Sequence, residues 1–145
     1  MSALIIDDDP FSSKLTKGML NKLGFEPIWE AGSGEEGLLA ACSHHPDIIL
    51  LDWIMPGMSG LETLRQLKSE VASSRSIPIV VTSESASRDA IVQTAREGAS
   101  AVVLKPFATA TLGARIVRAL TNDAPAQSSD RPSAGSQPNR RQNRA

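Results

Sequence analysis

A doubly wound α/β sheet of five parallel strands is the fold this sequence predicts, on three observations. Short apolar runs alternate with stretches patterned at helical spacing, five of each, as expected of strands joined by crossover helices. Ile48-Ile49-Leu50-Leu51 is an unbroken apolar run, the pattern of a parallel strand buried on both faces. Polar residues of chemical use stand where strands end: Asp7, Asp8 and Asp9, then Asp52, then Thr82 and Ser83, then Lys105. Sheets of this class gather their chemistry on that edge.

The elements follow in order. Leu4-Ile5-Ile6 reads as the first strand, and the helix after it carries Phe11, Leu15, Met19 and Leu23 on one face. Pro10 suits the first turn of that helix and Gly24 ends it. Pro27-Ile28-Trp29 is a short, more polar strand, expected at a sheet edge, where a proline costs least. Ser33 and Glu36 predict a capping box for a second helix with Leu38, Leu39 and Cys42 inward. After the third strand, Ser59 and Glu62 make another box, for a helix bearing Leu61, Leu64, Leu67 and Val71. Ile77 to Val81 is the fourth strand, and Ile91 and Ala95 belong to a fourth helix that stops at Gly98. Ala101 to Leu104 is the last strand, and Leu112, Ile116 and Leu120 line the final helix.

Composition bounds the rest. A chain of 145 residues, 41% hydrophobic and 21% charged, suits one globular domain and not two. Net charge is −1, which gives no general reason to expect nucleic acid or membrane binding. Residues 122–145 differ: they hold four Arg against Asp123 and Asp130, and no Val, Ile, Leu, Met, Phe or Trp. Such a segment buries too little to offset its ordering entropy, so the expectation is a domain over 1–121 and a disordered, Arg-containing tail over 122–145. No recognition helix for DNA fits after Leu120, and no attached output domain is expected. Cys42 is the single cysteine, so no intrachain disulfide forms. With no membrane-length apolar run and no signal-peptide pattern at the N-terminus, a cytoplasmic location is expected.

The strand-end residues carry the chemistry. Asp9, directly before Pro10, reads as a helix cap, which leaves Asp7 and Asp8 unexplained by capping. Carboxylates gathered on one edge repel one another unless a cation neutralises them, and hard oxygen ligands suit Mg²⁺. A lysine and a hydroxyl beside that ion supply donors for the equatorial oxygens of a transferring phosphoryl group.

In these pieces the sequence resembles the receiver domains of two-component response regulators, single-domain chemotaxis regulators in particular. The motifs are Ile5-Ile6-Asp7-Asp8-Asp9, the run Asp52-Trp53-Ile54-Met55-Pro56-Gly57-Met58-Ser59-Gly60, Val81-Thr82-Ser83 and Leu104-Lys105-Pro106-Phe107. They stand in the family's order and spacing across about residues 3–121. The resemblance implies a flavodoxin-like sheet of strand order 2-1-3-4-5. It implies that Asp52 is the phosphoacceptor, that Asp8 and, mostly through water, Asp7 hold Mg²⁺ with Asp52 and the Ile54 backbone carbonyl, and that Lys105 and Thr82 contact the phosphoryl group. Pro106 is the position that commonly follows a cis bond. The donor would be a sensor histidine kinase or a histidine phosphotransfer protein, and output would pass to a downstream protein target. The chain would catalyse only its own phosphorylation and dephosphorylation and would otherwise not be an enzyme. One departure stands out: the position three before the lysine is Val102, where many family members keep an aromatic that swings inward on activation.

Gly32-Ser33-Gly34-Glu35-Glu36-Gly37 also satisfies a dinucleotide-binding fingerprint, with Asp52 twenty residues after Gly32. The strand before it is short and holds Pro27, and a nucleotide-binding enzyme would leave Asp7, Asp8, Thr82 and Lys105 idle. Cys42 reads as a buried helix residue, Trp53 as packed beside the site, and His44 and His45 as cations at a helix C-terminus.

Overall fold

The computed structural model describes residues 1–71, 77–84 and 88–121. Along them alternate β1 (Ala3–Ile6), α1 (Pro10–Lys22), β2 (Ile28–Ala31), α2 (Gly34–His44), β3 (Ile48–Asp52) and α3 (Gly60–Gln66), followed by β4 (Ile79–Ser83), α4 (Arg88–Arg96), β5 (Ala101–Leu104) and α5 (Thr109–Thr121). A π-helical turn, Leu67–Val71, continues α3. All strand pairs are parallel and the order is β2-β1-β3-β4-β5. The expected fold class and strand order hold, and β2 is an edge strand.

Alternation along the strands divides the interior into two cores. Leu4, Ile6, Ile49, Leu51 and Ile79 meet Leu64 and Leu67 on one face. Ala3, Ile5, Leu50 and Val80 meet Leu20, Leu112 and Ile116 on the other. Every residue of β3 is buried, as its unbroken apolar run requires.

The caps explain where helices begin. Asp9 caps α1 by accepting from the Phe11 N–H at 3.0 Å, with Pro10 in the first turn. Ser59 and Glu62 form a complete capping box on α3. The box on α2 is only half built: Ser33 accepts from the Glu36 N–H, but the Glu36 carboxylate reaches one residue further back, to the Gly32 N–H at 2.9 Å.

Four expectations are corrected. α1 turns Phe11 and Leu15 outward, 71% and 52% exposed, and buries Ser13, Thr16 and Leu20 instead. The Ser13 hydroxyl donates to Glu30 on β2 at 2.7 Å, so its burial leaves no polar group unmatched. α2 buries Gly34, Gly37 and Ala41, while Leu39 and Cys42 face solvent. The cause is close approach: a Cβ on Gly37 would lie 2.5 Å from Cδ1 of Ile6, so only a face of small residues fits against β1. β2 starts one residue later and ends two residues later than the apolar triplet suggested, taking in Glu30 and Ala31 and leaving Pro27 outside. β4 likewise starts at Ile79 and runs through Thr82 and Ser83, because Pro78 has no N–H to give the ladder and contributes its carbonyl to Ile49 instead.

The expected tail over 122–145 lies outside the described residues. Among those described, no helix is long and apolar enough to cross a membrane.

Candidate phosphoacceptor site

Register brings the strand-end residues together. Ile6 pairs with Leu51, so Asp7 and Asp52 follow on adjacent strands. Asp52 and Thr82 are direct partners, and Ser83 pairs with Leu104, which brings Lys105 to the same edge. Backbone hydrogen bonds hold the ends in place: Asp7 N–H to Ala31 at 3.0 Å, Trp53 N–H to Thr82 at 2.9 Å and Lys105 N–H to Ser83 at 2.8 Å. Beyond Asp52 the loop closes on itself, with the Gly60 N–H donating to the Trp53 carbonyl at 3.1 Å. A Cβ on Gly60 would meet that same carbonyl oxygen at 2.5 Å, so glycine is required there. Trp53 rests partly buried against the core on the α2–α3 side, and the Lys105–Pro106 bond is cis.

Carboxylate oxygens of Asp7, Asp8 and Asp52 all lie within 4.8 Å of one another. Asp7 and Thr82 are buried, Asp52 is 9% exposed, and Asp8 faces solvent. The Lys105 ammonium stands 3.3 Å from Asp7 Oδ2 and 3.7 Å from Asp52 Oδ2, and donates to Ser12 Oγ at 3.1 Å. The other Asp7 oxygen accepts from the Asp9 N–H at 2.9 Å. A cleft of about 210 Å³ opens above this group, lined by Asp8, Asp9, Asp52, Ile54, Glu84 and Lys105.

Electrostatics single out Asp52. Burial pushes its carboxyl up from 3.8 to about 6, and the neighbouring Asp7 charge adds to that, while Lys105 and the Ile54 backbone N–H pull it down. Three carboxylates cluster here and the Lys105 ammonium pairs with two of them, so negative charge is in surplus on a partly dry edge. The donor set is all oxygen, and Asp8 leaves one side open to water. Both features fit a hard divalent cation such as Mg²⁺.

Every strand-end residue singled out in the sequence reaches this edge. Ile54 does too, with its side chain 68% exposed at the rim. Two features had escaped sequence reasoning. Ser12 touches Lys105 from α1, and nothing in its local pattern marks it. An apolar groove of about 220 Å³ adjoins the cleft between α1 and the end of β5, with Phe11, Leu15, Met19 and Phe107 in its walls. Its signal was present, since an apolar stripe directly follows the aspartates, but such a stripe ordinarily reads as core.

The five-stranded sheet of order 2-1-3-4-5 is matched by comparison with known proteins. The chain fits the response regulator receiver domain model over residues 3–117 and belongs to that family. Among individual proteins, the chemotaxis protein CheY of Pseudomonas aeruginosa is 33% identical over 116 residues, 80% of this chain and 93% of that protein. CheY-3 of Vibrio cholerae is 31% identical over 77% of this chain and 85% of its own length. In three dimensions, CheY4 of Vibrio cholerae superposes with a TM-score of 0.75 at 26% identity, covering 82% of this chain and 98% of that one. A CheY-like receiver from Methanospirillum hungatei gives 0.73 at 27% identity, over 85% and 95%. The chain is therefore a CheY-like receiver domain.

Proposed function

We propose that Asp52 accepts a phosphoryl group from a phosphohistidine on a sensor histidine kinase or histidine phosphotransfer protein, and that the chain signals the event through protein–protein contacts. The observation that carries this is the buried Asp52 carboxylate, flanked by Lys105, register-paired with Thr82 and beside a cleft with room for a phosphoryl group. A carboxyl with a value of about 6 is mostly ionised at neutral pH, so Asp52 is ready as a nucleophile. In the transfer, one Asp52 oxygen bonds to phosphorus as the P–N bond to the imidazole breaks, and the imidazole departs with that electron pair. Lys105 balances charge on the phosphoryl oxygens and Thr82 donates its hydroxyl to one of them. Asp7, Asp8, Asp52 and the Ile54 carbonyl would hold Mg²⁺, which when bound offsets the negative charge shared by the carboxylates and the phosphoryl group.

The apolar groove supports a protein donor. Phe11 and Leu15 stand exposed beside Lys105, and exposed apolar side chains next to a charged site suit a partner's helix. Output is proposed to begin with Thr82, drawn toward the new phosphoryl oxygens. Val102, in register with Val81 on the neighbouring strand, has no ring to move, so the change passes through the backbone following Thr82. The chain is proposed to act in the cytoplasm and to turn over only its own phosphoryl group.

Incubation with acetyl phosphate and Mg²⁺ tests the assignment. Mass spectrometry should find one added phosphoryl group, lost in Asp52→Asn. Undiminished labelling of that variant would overturn the reading.

A further inference from the structure

Lys105 is held by more than carboxylates. Its ammonium has three donors, and two of the groups around it, Asp7 Oδ2 at 3.3 Å and Asp52 Oδ2 at 3.7 Å, belong to the acidic cluster. The third, Ser12 Oγ at 3.1 Å, comes from outside the cluster, on the first turns of α1. It is the shortest of the three distances and the only neutral one.

We propose that Ser12 is a positioning residue for phosphoryl transfer, holding the Lys105 ammonium toward α1 and limiting how far it moves in between the Asp7 and Asp52 carboxylates that it touches. The inference rests on Asp52 being the phosphoacceptor. The physical argument is a competition. An ammonium beside two carboxylates in a poorly hydrated site is drawn between them, into the space where a divalent cation must sit and away from the incoming phosphoryl oxygens. A hydroxyl acceptor on α1, outside the acidic cluster, offsets that pull without adding charge. Ser12 is suited to the task because α1 is anchored at both ends of the contact: Asp9 caps its start at 3.0 Å and the adjacent Ser13 is tied to Glu30 at 2.7 Å. The Ser12 backbone therefore has little freedom to follow Lys105 if the lysine moves. Once the phosphoryl group arrives, the contact with Ser12 that Lys105 gives up for the new oxygens is a neutral hydrogen bond and not an ion pair.

The test is a double-mutant cycle on the full chain, read as the rate of Asp52 labelling by acetyl phosphate across a range of donor and Mg²⁺ concentrations. Ser12→Ala should slow labelling about tenfold, the scale of one hydrogen bond to a charged group, and should raise the Mg²⁺ concentration needed for half-maximal rate. Ser12→Thr, which keeps the hydroxyl, should restore most of the rate. In a Lys105→Ala background, Ser12→Ala should have no further effect, because the residue acts through the lysine. A merely structural role would instead lower the melting temperature and slow both backgrounds equally. Equal rates for Ser12→Ala and the parent, or equal losses with and without Lys105, would overturn the proposal. If the parent itself takes no label at Asp52, the phosphoacceptor reading fails and this inference fails with it.

Discussion

The middle of the sheet and its carboxyl edge obey opposite rules. Through Ile48, Ile49, Leu50 and Leu51 the interior is apolar, fully buried and packed on both faces. One residue further along the same strand, Asp52 is nearly as buried but charged, and its carboxyl sits at about 6 because burial opposes ionisation. The interior lowers the free energy of the fold; the edge raises it and keeps the difference available for chemistry. The transition takes a single peptide unit, and substitutions on either side of it should separate the two behaviours.

The largest effect on stability belongs to the interior. Leu50→Ala removes a side chain buried from both α1 and α5 and should cost about 2–5 kcal/mol in urea unfolding, with the labelling of whatever remains folded unaltered. A loss below about 0.5 kcal/mol would show that the two regions do not differ as stated.

On the edge, Asp8→Asn removes one charge from a three-carboxylate cluster and should weaken Mg²⁺ binding by about tenfold or more, since a hard cation loses both a ligand and an ionic partner. Trp53, adjacent to Asp52, supplies the fluorescence readout. Stability in metal-free buffer should be unchanged or slightly raised. Unchanged Mg²⁺ affinity would remove Asp8 from the site.

A pH series sharpens the contrast at Asp52 itself. Its folded value of about 6 lies above the ordinary 3.8, so the folded state binds the proton more tightly and stability falls as pH rises between those values. Asp52→Asn has no proton to lose. Without divalent metal it should match the parent near the lower value and exceed it by about 1–2 kcal/mol above the upper one, after allowance for solvent screening. A constant difference across the window would mean that Asp52 is not held protonated by burial.

A small stability effect is also expected where an apolar stripe lies outside the core. Phe11→Ser with Leu15→Ser should change stability by less than about 0.5 kcal/mol for each site, yet slow phosphotransfer from a phosphohistidine protein while leaving acetyl phosphate labelling intact. Equal slowing with both donors would separate the groove from partner docking.

α1 and α5 show what was legible and why. The final helix buries Leu112 and Ile116 as its pattern indicated, whereas α1 shows an equally clear stripe and presents much of it to solvent. A hydrophobic period reports that a helix has an apolar face; it does not say which neighbour covers it. α2 repeats the point, since Leu39 and Cys42 look inward on paper and are displaced by Gly34, Gly37 and Ala41.

By itself the sequence determined the element order, the parallel sheet and which strand-end residues gather on one edge. Parallel strands of similar length end together, so Asp7, Asp8, Asp52, Thr82 and Lys105 were bound to share one edge once the strands were recognised. Tertiary structure alone decided the rotation of α1 and α2 about their axes, because that depends on how closely each helix approaches the sheet, and Gly37 against Ile6 allows an approach that no periodicity encodes. It also decided that Ser12 reaches Lys105, a pair 93 residues apart in the chain. The raised Asp52 carboxyl came from the same source, since desolvation sums over every atom that excludes water and has no counterpart in a string of residues.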